Sequence, residues 1–245
     1  ADSLTVSADY AAGIAADSST VDAKLGSLKA ASENGIAAGI TAANNGSVSA
    51  DLESLTAESA NGTASGISAS SGKASTINVA NGLTVAGANG GTGIEASGAA
   101  HQITVGGLTD VAIASNGGNA IYAADGSNVN LNGGVSIDIT GTGEVSGIKA
   151  DGGRVTVANG KTLKVTSIID ALGINAINGG SVSGDAQSLT VNAAYNAYGV
   201  NADSGDVQLA LSGDLAVKSA SSRAYGASAE DNGSVKFTGV RNLTV

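Results

Sequence analysis

The stretch GINAINGGSV at residues 173–182 is followed by GVNADSGDV at residues 199–207, in the same phase and with nearly the same chemistry. This phrase recurs along the chain, and its first apolar residue returns every 26 or 27 residues. A fixed period of about 20 to 50 residues is typical of solenoids, propellers and repeat arrays. The nine residues at that position are Ile14, Ile40, Ile67, Ile94, Ile121, Ile148, Ile174, Val200 and Ala227.

Two further apolar phrases run in step with the first. One reads Leu-Thr-Val at Leu4–Val6 and begins again at Leu28, Leu55, Leu83, Val111, Ile137, Leu163, Leu189, Leu215 and Leu243. The other begins at Val21, Val48, Ile77, Ile103, Val129, Val155, Val182, Val207 and Val235. Each phrase alternates apolar and polar residues, as a strand does when one of its faces is buried. Each period therefore predicts three short strands.

Three strands per period predict an all-β fold: a single-stranded parallel β-helix with three sides and about nine coils of 26–27 residues. We expect one solenoid over residues 1–245, coiled in the right-handed sense by analogy with parallel crossovers. Helical repeats do not fit the β-branched strands, and a propeller blade needs about 40 residues. The ends read DSLTV and RNLTV in the same register, so we expect a fragment that lacks terminal caps.

The composition limits the classes of partner. The chain has 37 glycines, no proline, cysteine, methionine or tryptophan, and a net charge of −10. This charge argues against nucleic acid, and no apolar run approaches the roughly 20 residues of a membrane span. Without cysteine there are neither disulfides nor thiolate metal sites. We expect no cofactor, no metal, no nucleic acid and no membrane insertion by this segment, and we assign the many Asn-Gly pairs to turns.

The outward positions of the third strand bring two opposite charges together. Asp138 and Lys164 are one period apart in the same phase, so we expect them to pair across one coil. With Asp151 and Arg154 they form the densest charged neighbourhood, which is what a polysaccharide lyase or hydrolase would need. A solvated surface patch explains the same residues, and we do not predict an enzyme. Ice binding would need a regular threonine array, which Lys29, Asp138 and Lys164 interrupt.

The only histidine and the tyrosines are candidates of different kinds. His101 precedes Ile103 in a slightly longer coil, so we expect a corner residue; alone it cannot build a metal site. Tyr195, Tyr198 and Tyr225 lie between the third and first strands of neighbouring coils, and Tyr10 occupies a similar bend far away. They form either a small aromatic patch for glycan or protein contact or a structural stack at a corner. With Asp138 and Lys164 they are the candidate surface contact patch.

The register SLTV…GIxA…GSV, together with the scarcity of aromatic residues and the absence of cysteine and proline, resembles passenger domains of Gram-negative autotransporters and related β-helical surface adhesins. The resemblance covers the whole chain but includes no family-specific motif, no barrel translocator and no Gly-Asp-Ser-Gly protease motif. It implies an exported stalk, displayed outside a Gram-negative cell, that mediates adhesion or aggregation. The implied partner is a surface glycan or protein, or another copy of the chain. The alternative is an extracellular filament subunit that stacks end to end.

Overall fold

The computed structural model describes residues 3–70, 73–98, 101–107 and 110–245. These residues contain 25 strands and no helix, and every pairing between the strands is parallel. Successive strands turn through three faces, and the same three faces return in the next coil. We number the faces in the order in which the chain visits them after Tyr10. The chain is thus a parallel β-solenoid of about nine coils, as the sequence predicts.

The first face is a nine-stranded sheet, and the other two faces form a 16-stranded sheet because three long strands bend across both. First-face strands are β2 (Tyr10–Asp17), β4 (Ile36–Ala43), β6 (Thr63–Ser70), β8 (Gly90–Ser97), β11 (Gly118–Ala124), β14 (Val145–Asp151), β17 (Ala171–Ile177), β20 (Ala197–Asp203) and β23 (Ala224–Glu230). The long strands are β3 (Thr20–Ser32), β5 (Ser47–Ser59) and β7 (Ser75–Gly87). Second-face strands are β9 (Gln102–Gly106), β12 (Asn128–Leu131), β15 (Arg154–Val157), β18 (Ser181–Ala186), β21 (Asp206–Leu211) and β24 (Ser234–Thr238). Third-face strands are β1 (Ser3–Ser7), β10 (Asp110–Ser115), β13 (Ser136–Gly141), β16 (Thr162–Ser167), β19 (Ser188–Ala193), β22 (Leu215–Ser219) and β25 (Leu243–Thr244).

The strand register confirms the repeat that was found in the sequence. Ile94 lies beside Ile121, and Ile121 lies beside Ile148, so the first-face apolar residues form one column. That column extends without a break from Ile14 to Ala227. Because each residue stacks on its counterpart one coil away, one periodic pattern fixes the burial of the whole interior.

The interior holds aliphatic side chains from all three faces. Ile121, Leu131 and Ile139 are at most 1 % exposed, and each comes from a different face. A buried aliphatic side chain contributes about 1.5–3 kcal/mol, whereas ordering one residue costs about 1–2 kcal/mol. A coil of 26–27 residues therefore needs its neighbours for stability, which is general for solenoids.

One part of the predicted second-face register is wrong. The sequence pattern aligns Ile77 with Val48 and Ile103, but Ser75 lies opposite Ile103 and Ile77 lies opposite Ala50. Ser75 is 1 % exposed, and its Oγ accepts a hydrogen bond from the Val48 N–H at 3.1 Å. A shift of two residues preserves the alternation, so the apolar pattern fits both registers. Because the first inward position of this strand holds a serine and not an apolar residue, the sequence pattern does not show which register is correct.

The Asn-Gly pairs lie between strands or at the start of one, as predicted, except that Asn81 and Gly82 lie within β7. Asn159 and Asn178 have positive φ values of 57° and 52°, which asparagine tolerates better than most residues. At Asn178 the amide donates to Asp151 Oδ1 at 2.8 Å, and the Gly179 N–H donates to the Ser204 carbonyl at 2.7 Å. At Asn159 the side-chain amide and the following glycine N–H lack such partners among the described residues.

Buried serines occur in two different states. Ser127 is completely buried; its Oγ donates to the Ala96 carbonyl at 2.7 Å and accepts the Ala124 N–H at 3.0 Å. The buried Oγ of Ser65 and that of Ser146 have no hydrogen-bond partner within the described residues. Ser127 therefore closes a bend between the first and second faces, whereas Ser65 contributes no side-chain hydrogen bond.

Candidate functional site at the tyrosine corner

The bends that connect the third face to the first face form a column along the rod, which we call the tyrosine corner. A serine at the end of the third-face strand holds several of these bends closed. In one of them Ser167 Oγ accepts the Ile169 N–H at 2.9 Å and donates to the Gly143 carbonyl of the preceding coil. The bend is too short to turn Ile168 and Ile169 inward, and they remain 64 % and 46 % exposed.

The three predicted tyrosines lie at this corner, next to those isoleucines. The Tyr195 N–H donates to the Ile169 carbonyl at 3.0 Å, and the Tyr195 side chain is 54 % exposed. Tyr198 and Tyr225 are register partners, with ring centroids 5.1 Å apart and ring planes inclined by 12°. The structural stack is therefore present, and it leaves aromatic surface exposed. The corner patch is the set Ile168, Ile169, Leu172, Tyr195, Tyr198 and Tyr225.

A second apolar pair lies on the same corner at the other end of the rod. Tyr10 and Ile36 are register partners at the start of the first two first-face strands. They are 63 % and 44 % exposed. We call these two residues the distal pair. Sequence reasoning noted Tyr10 as a similar bend residue but missed Ile36, because a lone isoleucine at a strand start resembles any core residue.

The predicted pair of charges forms on the third face. Lys164 Nζ lies 2.9 Å from Asp138 Oδ2, and the two residues are register partners. Lys29 and Glu58 make a similar contact of 2.6 Å on the same face. The side chains of all four residues are about half exposed, and exposed ion pairs contribute at most about 1 kcal/mol. These pairs satisfy surface charge and do not form a cleft.

The candidate residues divide into separate surfaces. Asp138 and Lys164 are on the third face, on β13 and β16, whereas Tyr198 and Tyr225 are on β20 and β23 of the first face. The further charged residues that a polysaccharide-cleaving site would need are elsewhere: Asp151 ends a first-face strand and Arg154 begins a second-face strand. The structure therefore does not bring the charged candidates and the tyrosines into one groove.

A charged column on the first face was missed by sequence reasoning. Glu95, Tyr122 and Lys149 are successive register partners, and Lys149 Nζ lies 5.6 Å from the centre of the Tyr122 ring. Burial raises the pKa of Glu95. Burial also raises the pKa of Tyr122, with a further contribution from the negative charges of Asp151, Glu95 and Asp125. Three large polar side chains in consecutive coils, in a column of otherwise small residues, were the available signal.

His101 is a bend residue, as expected, but it is not at the surface. The Asn128 N–H donates to the His101 carbonyl at 2.7 Å, so the residue lies between the first and second faces. The side chain is 0 % exposed, and neither ring nitrogen has a hydrogen-bond partner among the residues described. Burial lowers the pKa of His101, because the imidazolium would lose its hydration.

Two kinds of site are absent from the part of the chain that the structure describes. No group of three or more His, Cys, Asp or Glu side chains has an arrangement that could hold a metal ion. There is also no helix of sufficient length and apolarity to cross a membrane. No protein-family model, no curated protein and no solved structure matches this chain.

Proposed function

We propose that this chain is a structural and adhesive solenoid of the autotransporter-passenger type, displayed outside a Gram-negative cell. The observation that supports this proposal best is the corner patch. Apart from its chain ends, the rod has a largely polar surface, on which Ile168, Ile169 and Tyr195 expose 64, 46 and 54 % of their area in two successive bends. Exposed apolar patches on soluble proteins mark interaction sites.

The chemistry of the patch suits a glycan or a protein partner. The stacked rings of Tyr198 and Tyr225 are nearly parallel, and exposed Tyr195 lies in the bend just before the strand that carries Tyr198. Tyrosine is favoured at interfaces because it combines a large apolar area with a hydrogen-bonding tip and little conformational freedom to lose. The patch would therefore bind through ring faces and hydroxyl groups.

The scaffold supports the same role. Each coil adds about 4.8 Å, so nine coils form a rod of about 43 Å. A parallel in-register stack has few mobile loops, which keeps a patch on one corner in a fixed orientation. The net charge of −10 keeps such a rod soluble and disfavours non-specific binding to anionic surfaces.

Substituting the tyrosines tests the proposal. We expect the triple variant Tyr195→Ser, Tyr198→Ser and Tyr225→Ser to lose binding to cells or to a glycan array while the far-ultraviolet circular dichroism is unchanged. Tyr122→Ser is the matched control, because it removes a tyrosine from the same sheet outside the patch. Equal binding by the triple variant and the wild type would contradict an adhesive role for the patch.

Two alternative functions are separated by other measurements on the same sample. A filament subunit that stacks end to end would give long rods in negative-stain micrographs. A polysaccharide lyase would release unsaturated products from polyuronates, and Asp138→Asn or Lys164→Ala would abolish that release. The geometry does not favour the lyase, because the charged candidates lie on three different faces.

A further inference from the structure

Exposed apolar side chains are concentrated on one corner of the rod. Six of the eight large hydrophobic side chains that are exposed in the described residues lie at the tyrosine corner, and the other two belong to the last strand and its end. The six are Tyr10, Ile36, Ile168, Ile169, Tyr195 and Tyr225. The remaining two corners carry none of them. This distribution marks a contact that runs along a single edge.

Counting first-face strands, the distal pair occupies coils 1 and 2, and the corner patch occupies coils 7 to 9. Coils 1 and 2, which carry the distal pair, mirror coils 9 and 8 of the corner patch about the middle of the rod, whereas Ile168 and Ile169 of coil 7 have small or polar residues opposite them in coil 3. A two-fold axis through the corner at coil 5, perpendicular to the rod, exchanges coil 1 with coil 9 and coil 2 with coil 8. Two antiparallel copies would therefore place Tyr10 against Tyr225, and Ile36 against Tyr195, at both ends of one contact.

The residues between the two groups allow a close approach. At coil 5 the corner consists of Asn116 and Gly117, between Ser115 and Gly118. Next to them is a shallow recess of about 360 Å³, lined by small side chains such as Ala88 and Ala114. No large side chain projects at the proposed axis, so the apolar ends would carry the contact.

The charges at this corner favour the antiparallel arrangement over the parallel one. Exposed Asp9 and Glu33 adjoin the distal pair, whereas exposed Arg223 adjoins Tyr225. In an antiparallel pair Arg223 faces Asp9 of the second copy at each end. In a parallel pair each of these charges would face its own copy, and such like-charge contacts are costly.

The available area is sufficient for a stable dimer. A contact along the whole edge, about 43 Å long and, taken as five strand residues, about 17 Å wide, would bury up to about 730 Å² per copy. Specific interfaces bury about 800 Å² per partner. We propose that two copies of this chain pair side by side and antiparallel through the tyrosine corner; this inference rests on the proposed function, which identifies the patch as a contact surface.

Reversal of one charge tests the pairing. At about 100 µM, above the micromolar dissociation constants that interfaces of this size reach, we expect light scattering to give twice the 23.2 kDa chain mass. Arg223→Glu should weaken the dimer by at least about tenfold, and adding Asp9→Lys and Glu33→Lys to the same chain should restore it. Lys236→Glu is the matched control, because it reverses an exposed charge of the last coil on the second face, away from the tyrosine corner, and should leave the dimer intact.

Orientation is tested by cross-linking, since the chain contains no cysteine of its own. Asp9→Cys and Ser222→Cys chains should cross-link to each other in a mixture, and neither should cross-link when alone. Cross-links within each single variant would overturn the antiparallel arrangement, and a monomeric wild type would overturn the dimer. If the wild type is monomeric and its tyrosines are still required for adhesion, only the dimer proposal is contradicted. If the wild type is a dimer and the tyrosine triple variant adheres normally, only the adhesive role is contradicted.

Discussion

Gly147→Ala tests how tightly the first and third faces pack. Glycine precedes the first-face apolar residue in every coil except at Ala120. A Cβ atom at Gly147 would lie 2.7 Å from Leu163 Cδ1 and 2.6 Å from the Gly173 carbonyl oxygen. Both distances are well below van der Waals contact, so the methyl group must displace the leucine, the neighbouring backbone, or both.

The natural alanine indicates which of these two contacts matters. Ile121 pairs with Ile148, and Ile137 pairs with Leu163. Ala120 therefore stands in the same relation to Ile137 as Gly147 does to Leu163. Where the chain carries alanine, it carries a β-branched residue in place of leucine. Gly93, however, meets Val111 and Ile113 and is still glycine, and a Cβ atom at Gly147 would also lie 2.8 Å from Val165 Cγ2. We infer that the terminal methyl groups of Leu163 contribute to the requirement for glycine at Gly147.

The magnitudes follow from this inference. An additional methyl group in a packed core costs about 1–3 kcal/mol, so Gly147→Ala should lower the free energy of unfolding by about that amount. Leu163→Ile alone should cost less than about 1.5 kcal/mol, since volume is conserved. The double variant should be about as stable as Leu163→Ile alone, which corresponds to a coupling of at least about 1 kcal/mol. Ala120→Gly should cost only about 0.4–1 kcal/mol, because it relieves no clash and adds flexibility to the unfolded chain.

Urea denaturation followed by circular dichroism measures all of these free energies on one scale. The wild type, the two single variants and the double variant complete the cycle. Additive effects, with a coupling within about 0.3 kcal/mol of zero, would refute the reasoning. The Gly173 carbonyl or Val165 Cγ2, and not Leu163, would then impose the requirement for glycine.

Three further predictions concern buried or constrained polar groups. Burial lowers the pKa of His101 below its usual 6.5, so the unfolded chain takes up the proton first. Above pH 6.5 His101 is neutral in both states and does not lower the free energy of unfolding. As the pH falls from 6.5 toward the folded pKa, the free energy of unfolding decreases by up to about 1.4 kcal/mol per pH unit. Between about pH 7.5 and 5.0 the melting temperature should therefore fall more for the wild type than for His101→Gln. Ser127→Ala should cost about 1–3 kcal/mol in urea denaturation, whereas Ser65→Ala should be neutral or stabilising, and equal effects would contradict the hydrogen-bond assignment. Asn159 should deamidate faster than Asn178 in the folded chain, because only at Asn178 are the side-chain amide and the following glycine nitrogen held by hydrogen bonds. In urea the two rates should be equal. Peptide mass spectrometry measures both rates.

The faces of the solenoid could be predicted from the sequence because, in parallel in-register strands, residues one period apart lie next to each other. Ile94 and Ile121 are neighbours for no other reason than their spacing of 27 residues. The same logic placed Asp138 beside Lys164, and the contact of 2.9 Å confirms it. The predicted register of the second face was wrong at β7, where the apolar pattern is compatible with two registers. Ser75 fills an inward position but is polar, so a search for apolar residues did not assign it to the interior.

The bends could not be predicted in the same way, because their lengths and residues differ from coil to coil. His101 occupies the column of Ser127, yet only the structure shows that its ring is buried without partners. The exposure of Ile168 likewise depends on the hydrogen bonds of Ser167, which the sequence does not display.

This difference between faces and bends also explains where a binding surface can arise. On a face, every second residue is fixed in the interior, and a substitution must suit the coils on both sides. At a bend, a residue such as Tyr195 or Ile169 contributes backbone hydrogen bonds to the stack while its side chain points away from it. Bends can therefore acquire apolar or aromatic side chains at little cost to the core. Such side chains are concentrated on one of three corners, and the other two corners fold without them, so packing does not require them there. This is the reason for proposing that the tyrosine corner contacts a partner.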